Sequence, residues 1–324
     1  MRYDVVLLGE TMLRLTPESF TRLEQADRVQ VHVGGSESNT AVGLSRLGHS
    51  VAWLSRLTDN PLGRRIEQTL ASHGVDTQSI VWTASDRVGL YFLENGSPPR
   101  SSQVIYDRVG SAYSRFTPSD LPRELFSTGV SKWLHVTGIS LWLNETVRDT
   151  IATAVQWARE AGWKISFDVN HRSLLCNEIE AQGHCQSLFE IADLAFLPRR
   201  DAVQLWRMSD ADDDETIMKG LLEMRSGKPT VMTLGSRGAM ASDGLLSETQ
   251  MIEPVDPIGR LGGGDAFSAG FLSGWLETSD VLVALRRATA MARLKYSIPG
   301  DLPLVTRAEV EKLAGGANGT SLIR

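Results

Sequence analysis

The sequence predicts an α/β fold: a central, mostly parallel sheet flanked by helices, with a small β-sheet lid inserted over it. Three observations carry this. From residue 130 onward, short apolar runs alternate with helical stretches, the pattern of a parallel sheet covered on both faces. Two β-rich stretches, about 14–33 and 85–110, interrupt the alternation. Several polar clusters fall at strand ends, where such sheets bind ligands. One of them is a glycine run meeting a single carboxylate, Leu261-Gly262-Gly263-Gly264-Asp265-Ala266-Phe267.

In chain order, Val5–Gly9 reads as a buried strand, an apolar run stopped by glycine. Val29, Val31 and Val33 alternate with polar residues, as in a strand touching solvent. Gly34-Gly35-Ser36-Glu37-Ser38-Asn39 then turns into a helix over Thr40–Leu47, ended by Gly48. Val51–Leu57 is a second buried strand, and Gly63–His73 a helix stopped at Gly74. Alternation around Val88, Leu90 and Phe92, followed by Asn95-Gly96-Ser97-Pro98-Pro99, signals a hairpin. Further on, strands are expected at Trp133–Val136, Lys164–Asp168, Leu194–Leu197 and Thr230–Leu234. Helices are expected at Val147–Ala161, Gln186–Ala192 and Thr216–Arg225. A helix over Asp265–Leu276 puts Phe267 and Phe271 on one face.

The chain has 324 residues, 42% apolar and 22% charged: the length allows roughly two domains or, equally, one large α/β domain over 1–324, and the composition argues against disorder. A net charge of -6 implies no basic surface for nucleic acid. No apolar stretch reaches membrane length and the N-terminal run is too short for a signal peptide, so a cytoplasmic protein is expected. Cys176 and Cys185 read as free thiols; His184 stands beside Cys185, but a four-ligand metal spacing is absent.

Glycines before Asp265 would lie at a helix N-terminus, where backbone N–H groups are unpaired and the dipole is positive. That is a cradle for an anion. A carboxylate at its mouth repels a phosphate, yet fits if Asp265 takes a proton from a hydroxyl that attacks the phosphate. The competing reading is an N-cap Asp behind a tight turn. Taken singly, Gly34-Gly35 also reads as a turn, Asn170 as a helix cap, Arg172 as an exposed side chain and His171 as a structural histidine.

Taken together, these clusters resemble the PfkB, or ribokinase-like, family of sugar kinases over nearly the whole chain. One family motif is matched from Gly34 to Gly48, with Asp59-Asn60-Pro61-Leu62-Gly63 after it, and the second at Gly263-Gly264-Asp265-Ala266-Phe267. Within the family the chain is most similar to 2-keto-3-deoxygluconate kinases. The carrying stretches are Gly89-Leu90-Tyr91-Phe92, Tyr106-Asp107-Arg108 with Gly110-Ser111-Ala112, Asp168-Val169-Asn170-His171-Arg172 and the 295–301 segment ending Pro299-Gly300-Asp301.

The resemblance implies ATP-dependent transfer of a phosphoryl group to a terminal hydroxyl of a sugar acid. Its cofactors would be ATP and Mg2+, the ion carried largely by nucleotide phosphates and water. Asp265 would be the base, and Gly262, Gly263 and Gly264 the anion hole. Gly34, Gly35, Asn39 and Asn170 would hold the sugar, Tyr91 and Tyr106 would cover it, and Arg172, with Arg108 as a second candidate, would grip its carboxylate. Gly235 and Gly238 would lie near the nucleotide, and Asp201 would act indirectly on the metal. A homodimer through the lid edges is implied.

Two departures stand out. Arg260-Leu261-Gly262 reads as an insertion between Asp256-Pro257-Ile258-Gly259 and the rest of the second motif. The family's Asn-x-x-Glu falls on Pro198-Arg199-Arg200-Asp201. Rival expectations are a kinase of neutral, fructose-like sugars and a non-catalytic sugar- or nucleotide-binding relative.

Overall fold

The computed structural model describes residues 2–252, 258–259 and 261–316. Asp256, Pro257 and Arg260 of the inserted motif lie outside them. Helices and strands follow in this order: β1 (Tyr3–Leu8), β2 (Met12–Pro17), β3 (Val29–Gly34), α1 (Ser36–Arg46), β4 (Val51–Leu54), β5 (Arg56–Thr58), α2 (Pro61–Ser72), β6 (Val81–Thr83), β7 (Leu90–Glu94) and β8 (Gln103–Asp107). Next come β9 (Ser131–Thr137), α3 (Gly138–Leu141), α4 (Glu145–Glu160), β10 (Lys164–Asp168), α5 (Glu178–Ile191), β11 (Leu194–Pro198), α6 (Arg199–Trp206) and α7 (Asp214–Met224). The chain closes with β12 (Thr230–Thr233), β13 (Ala239–Ser242), β14 (Ser247–Gln250), α8 (Gly263–Thr278), α9 (Val281–Tyr296) and α10 (Arg307–Ala314).

The main sheet has the order β14-β13-β12-β11-β10-β9-β1-β4. It is parallel from β12 to β4, and β13 and β14 add antiparallel at one edge. Its strands alternate between two cores. Val6 and Leu8 point into a layer formed with α4, α5, α6 and α7. Val5 and Leu7 point into the opposite layer, with α1, α2, α8, α9 and α10. Burial on both faces is why these strands read as continuous apolar runs.

The two interrupting stretches form one four-stranded lid of order β3-β2-β7-β8, as expected. Tyr91 of β7 stands opposite Tyr106 of β8. The expected single strand Val51–Leu57 is two: the chain leaves the main sheet at Ser55, and β5 pairs with β6 instead. The expected helix at Gln186–Ala192 begins much earlier, capped by Asn177, whose side chain accepts the Glu180 N–H. The helix expected at Thr40 begins at Ser36, and its first nine residues are all buried, which erases the apolar periodicity that marks a helix start.

Candidate active site

The polar clusters of the Gly34–Asn39 turn, the Asp168–Arg172 loop and the start of α8 converge beyond the C-terminal ends of β1 and β10. The helix N-termini of α1 and α8 meet there, under the lid. Gly262 caps α8 with φ +76, a left-handed conformation, and a Cβ on it would collide with the Asp301 carbonyl. Only glycine fits both demands. Gly263 and Gly264 form the start of the helix. A Cβ on Gly263 would press on the Tyr296 ring, whereas a Cβ on Gly264 would meet, outside its own helix and chain neighbours, no atom of the described residues within 4 Å. The first N–H groups of α8 have no partner within the helix.

Asp265 is the third residue of α8, inside the first turn, so the capping alternative fails: the cap is Gly262. Ser36 Oγ donates to Asp265 Oδ1 at 2.6 Å, and Asn39 Nδ2 donates to Oδ2 at 2.7 Å. Burial raises the Asp265 pKa above the ordinary aspartate value, opposed by these two hydrogen bonds and by Arg172. A raised but opposed pKa suits a carboxyl that must accept a proton.

Other sequence-predicted residues take roles beside the expected ones. Asn39 lines the cleft, but its amide is committed to Asp265, so it orients the carboxylate. Asn170, at φ +42, donates to Ser36 Oγ at 2.9 Å and so supports the same carboxylate from behind. Arg108 lines the cleft, yet Glu10 compensates its charge: Nε lies 2.9 Å from Glu10 Oε2, and Nη2 also donates to that oxygen. Arg172 is exposed at the cleft and, among the described residues, its side chain has no hydrogen-bond or ion-pair partner. Tyr91 and Tyr106 roof the cleft with ring centroids 6.1 Å apart. Gly34 and Gly35 line it as well; a Cβ on Gly34 would lie 2.5 Å from the Tyr91 hydroxyl.

Gly235 and Gly238 bracket the turn between β12 and β13, away from the sugar-side cleft. Asp201 is fully buried and accepts from the His171 N–H and from Arg200 Nε. It props the Asp168–Arg172 loop and does not face the cleft as a metal handle would. His171 is structural, as expected: its Nε2 lies 2.9 Å from the Cys176 carbonyl. Cys176 and Cys185 are free and buried. Among the described residues, no three His, Cys, Asp or Glu side chains gather to hold a metal ion.

Sequence reasoning missed Glu10, Ser36, Glu37 and Asp301, which all line the cleft. Ser36 and Glu37 sat inside the quoted glycine motif, and Asp301 ended the quoted tail; no spacing rule gave them partners. Glu37 Oε1 accepts from Thr137 Oγ1 at 2.8 Å, Thr137 N at 3.2 Å and Ser140 Oγ at 3.3 Å. Burial pushes its pKa up to about 7, against those donors and with repulsion from Asp265. Asp168, bonded by Ser268 Oγ at 3.2 Å, is likewise pushed up to about 7 by burial and by the Asp265 charge.

A buried glutamate of this kind has a stability signature. Its folded pKa exceeds its unfolded one, so its contribution is fully present below about pH 4.5 and is lost as pH rises through about 7. Glu37→Gln keeps the acceptor oxygen for Thr137 and Ser140. Its Tm should match the wild type near pH 4.5 and exceed it at pH 8. A Tm difference that does not change with pH, read by calorimetry, would mean that folding leaves the Glu37 pKa unshifted.

The pfkB family carbohydrate kinase pattern matches residues 2–303. The chain is 36% identical over 318 residues to a 2-dehydro-3-deoxygalactonokinase of Haloferax volcanii, covering 98% of each chain. It is 30% identical to a 2-dehydro-3-deoxygluconokinase of Bacillus subtilis, over 97% of this chain and 95% of that one. The crystal structure of 2-dehydro-3-deoxygluconokinase from Thermotoga maritima superimposes with a TM-score of 0.90 at 30% identity, covering 97% of this chain and all of the other. With the Asp265 cluster and the glycine turn in place, the chain belongs to the pfkB family of carbohydrate kinases.

Proposed function

We propose that this kinase moves the γ-phosphoryl group of ATP to a terminal hydroxyl of 2-keto-3-deoxygluconate or its galactonate counterpart. The observation that carries the sugar-acid reading is Arg172, a cation at the cleft with no hydrogen-bond or ion-pair partner among the described residues, although Asp265 feels its charge, where Arg108 is already paired. A planar guanidinium left free in a sugar cleft matches a carboxylate, and a neutral ketose gives it nothing to pair with. The names of the relatives point to the same substrate class.

In this reading, the acceptor hydroxyl lies against Asp265, which removes its proton as the oxygen attacks the phosphorus. The Gly262–Gly264 turn collects the charge that develops on the transferred group. Tyr91 and Tyr106 cover the sugar and keep water from competing as acceptor. The nucleotide extends toward Gly235 and Gly238. Mg2+ would neutralise charge on the phosphates and would be carried largely by the nucleotide and water. The cytoplasm is the compartment we assign, where ATP and free thiols both belong. A homodimer through the lid fits as well: β3 and β8 are the unpaired edges of the lid sheet, and Ile105 of β8 is 51% exposed.

Arg172→Ala tests the reading. A charge-assisted pair is worth about 1.5–3 kcal/mol, so kcat/KM for the sugar acid should fall about tenfold or more. Activity on fructose, however weak, should change little. Equal losses on acid and neutral sugars in steady-state assays would make Arg172 structural and remove the support for a sugar acid.

A further inference from the structure

Pro198-Arg199-Arg200-Asp201 stands where the family's Asn-x-x-Glu falls, and it brings two cations to the end of a central strand. Pro198 closes β11, and α6 begins at Arg199. In the main sheet β11 lies between β12, which runs into the Gly235–Gly238 turn, and β10, which runs into the Asp168–Arg172 loop. The start of α6 is tied to both. On the β12 side, Asp214 of α7 accepts from Arg199 Nε at 2.9 Å and from both Nη atoms of Arg237, in the turn, at 2.5 and 3.0 Å. On the β10 side, Asp201 Oδ2 accepts the His171 N–H at 3.2 Å.

Three arginines therefore stand at this end of β11 and β12. Arg237 is committed to Asp214. Arg199 is committed to Asp214, to Asp210 and to the carbonyls of Asp210 and Asp212. Arg200 is different. Its side chain is 64% exposed, and its Nε donates to Asp201 Oδ1 at 3.1 Å. Its two Nη atoms have no hydrogen-bond partner among the described residues. Asp201 is fully buried, so it takes one edge of the guanidinium and leaves the rest unclaimed.

An acid at the end of this strand reaches phosphates only through a hydrated cation, because carboxylate and phosphate repel. A guanidinium binds phosphate oxygens directly, two at a time. Here the acid is withdrawn into the core and a guanidinium is exposed beside it. We propose that Arg200 binds the polyphosphate of the nucleotide, so that the protein holds ATP without needing Mg2+ as the bridge. The inference rests on the kinase reading above and adds a phosphate contact to it. A nucleotide reaching from the Gly235–Gly238 turn to Asp265 crosses the end of β11, because that strand separates β12 from β10.

Calorimetric titration with ATP and with adenosine, in EDTA and in excess Mg2+ and without sugar, reads this contact in the absence of turnover. The wild type should bind ATP in EDTA within about tenfold of its affinity in Mg2+. Arg200→Ala should lose about tenfold for ATP in EDTA at low ionic strength, and less as salt is added, since the side chain is open to solvent. Adenosine affinity and Tm should stay at the wild-type values, whereas a structural role for Arg200 would move both. Arg200→Lys keeps the charge without the fork and should fall between. The proposal is overturned if Arg200→Ala binds ATP in EDTA as the wild type does, or loses adenosine as much as ATP. It is equally overturned by a wild type that binds ATP in Mg2+ and not in EDTA. Should Arg200→Ala fail to fold, Arg200→Gln carries the same comparison. A wild type that binds no ATP even in Mg2+ would defeat the kinase reading and this contact together, whereas intact binding with an unaffected Arg200→Ala defeats the contact alone.

Discussion

Asp265→Asn should reduce kcat by ~10²–10⁴ while sugar affinity stays within a few-fold. The fold should survive the change, because both neighbours adapt. Asn39 donates to the remaining carbonyl oxygen, and Ser36 Oγ, now the acceptor, receives the new amide N–H. What is lost is the capacity to take a proton. In the wild type, the acid limb of the kcat/KM profile should lie above the ordinary aspartate range, since burial raises the Asp265 pKa, and activity should rise as pH climbs through it. Near-normal turnover in the pure variant, with calorimetric binding unchanged, would remove Asp265 from the role of base.

Gly262→Ala should be nearly as damaging, for a different reason. The position demands a left-handed φ, which costs a residue with a Cβ about 1–2 kcal/mol, and the new methyl would strike the Asp301 carbonyl. The turn must move, and with it the N–H groups that begin α8. Loss of a single transition-state donor typically lowers kcat by ~10²–10³, and Tm should fall as well. Gly264→Ala separates these effects. Outside its own helix, a methyl there meets no atom of the described residues within 4 Å, and it stands on a helical residue, so Tm should hold or rise. On the proposed reading it would nevertheless stand where the phosphate approaches, so KM for ATP should rise and kcat fall. Gly264→Ala with wild-type kinetics would move the anion hole elsewhere.

The fold was legible wherever burial leaves a period or an uninterrupted apolar run. Lys164–Asp168 was placed to the residue, and the two lid stretches were found from alternation and turn chemistry. The start of α1 was missed because a helix buried on all sides shows no stripe. The first half of α5 was missed because polar residues at 178–187 dilute its apolar face. Helix α9 carries an apolar face interrupted by the buried Arg287 and Lys295, and it went unassigned.

In the site, glycines and Asp265 were legible because helix-terminus chemistry is local: a few consecutive residues contain it. Partnerships were not. That Asn39 serves Asp265, that Glu10 compensates Arg108, and that Asp301 accepts the Tyr91 hydroxyl hydrogen bond are facts about residues 98 to 226 positions apart. No spacing in one chain encodes which of several cations or amides will be left free. Arg172 could be separated from Arg108 only after the chain had folded.

The hydrogen bond from Ser36 to Asp265 joins positions 229 residues apart. On the ribosome, at ~5–20 residues per second, the first partner is made on the order of 10–50 s before the second. During that interval the nascent chain carries its glycine loop and lid strands without the carboxylate proposed as the base. On the proposed role of Asp265, a chain stopped before it should spend no ATP on a sugar, and purified truncations should show no sugar-dependent ADP release.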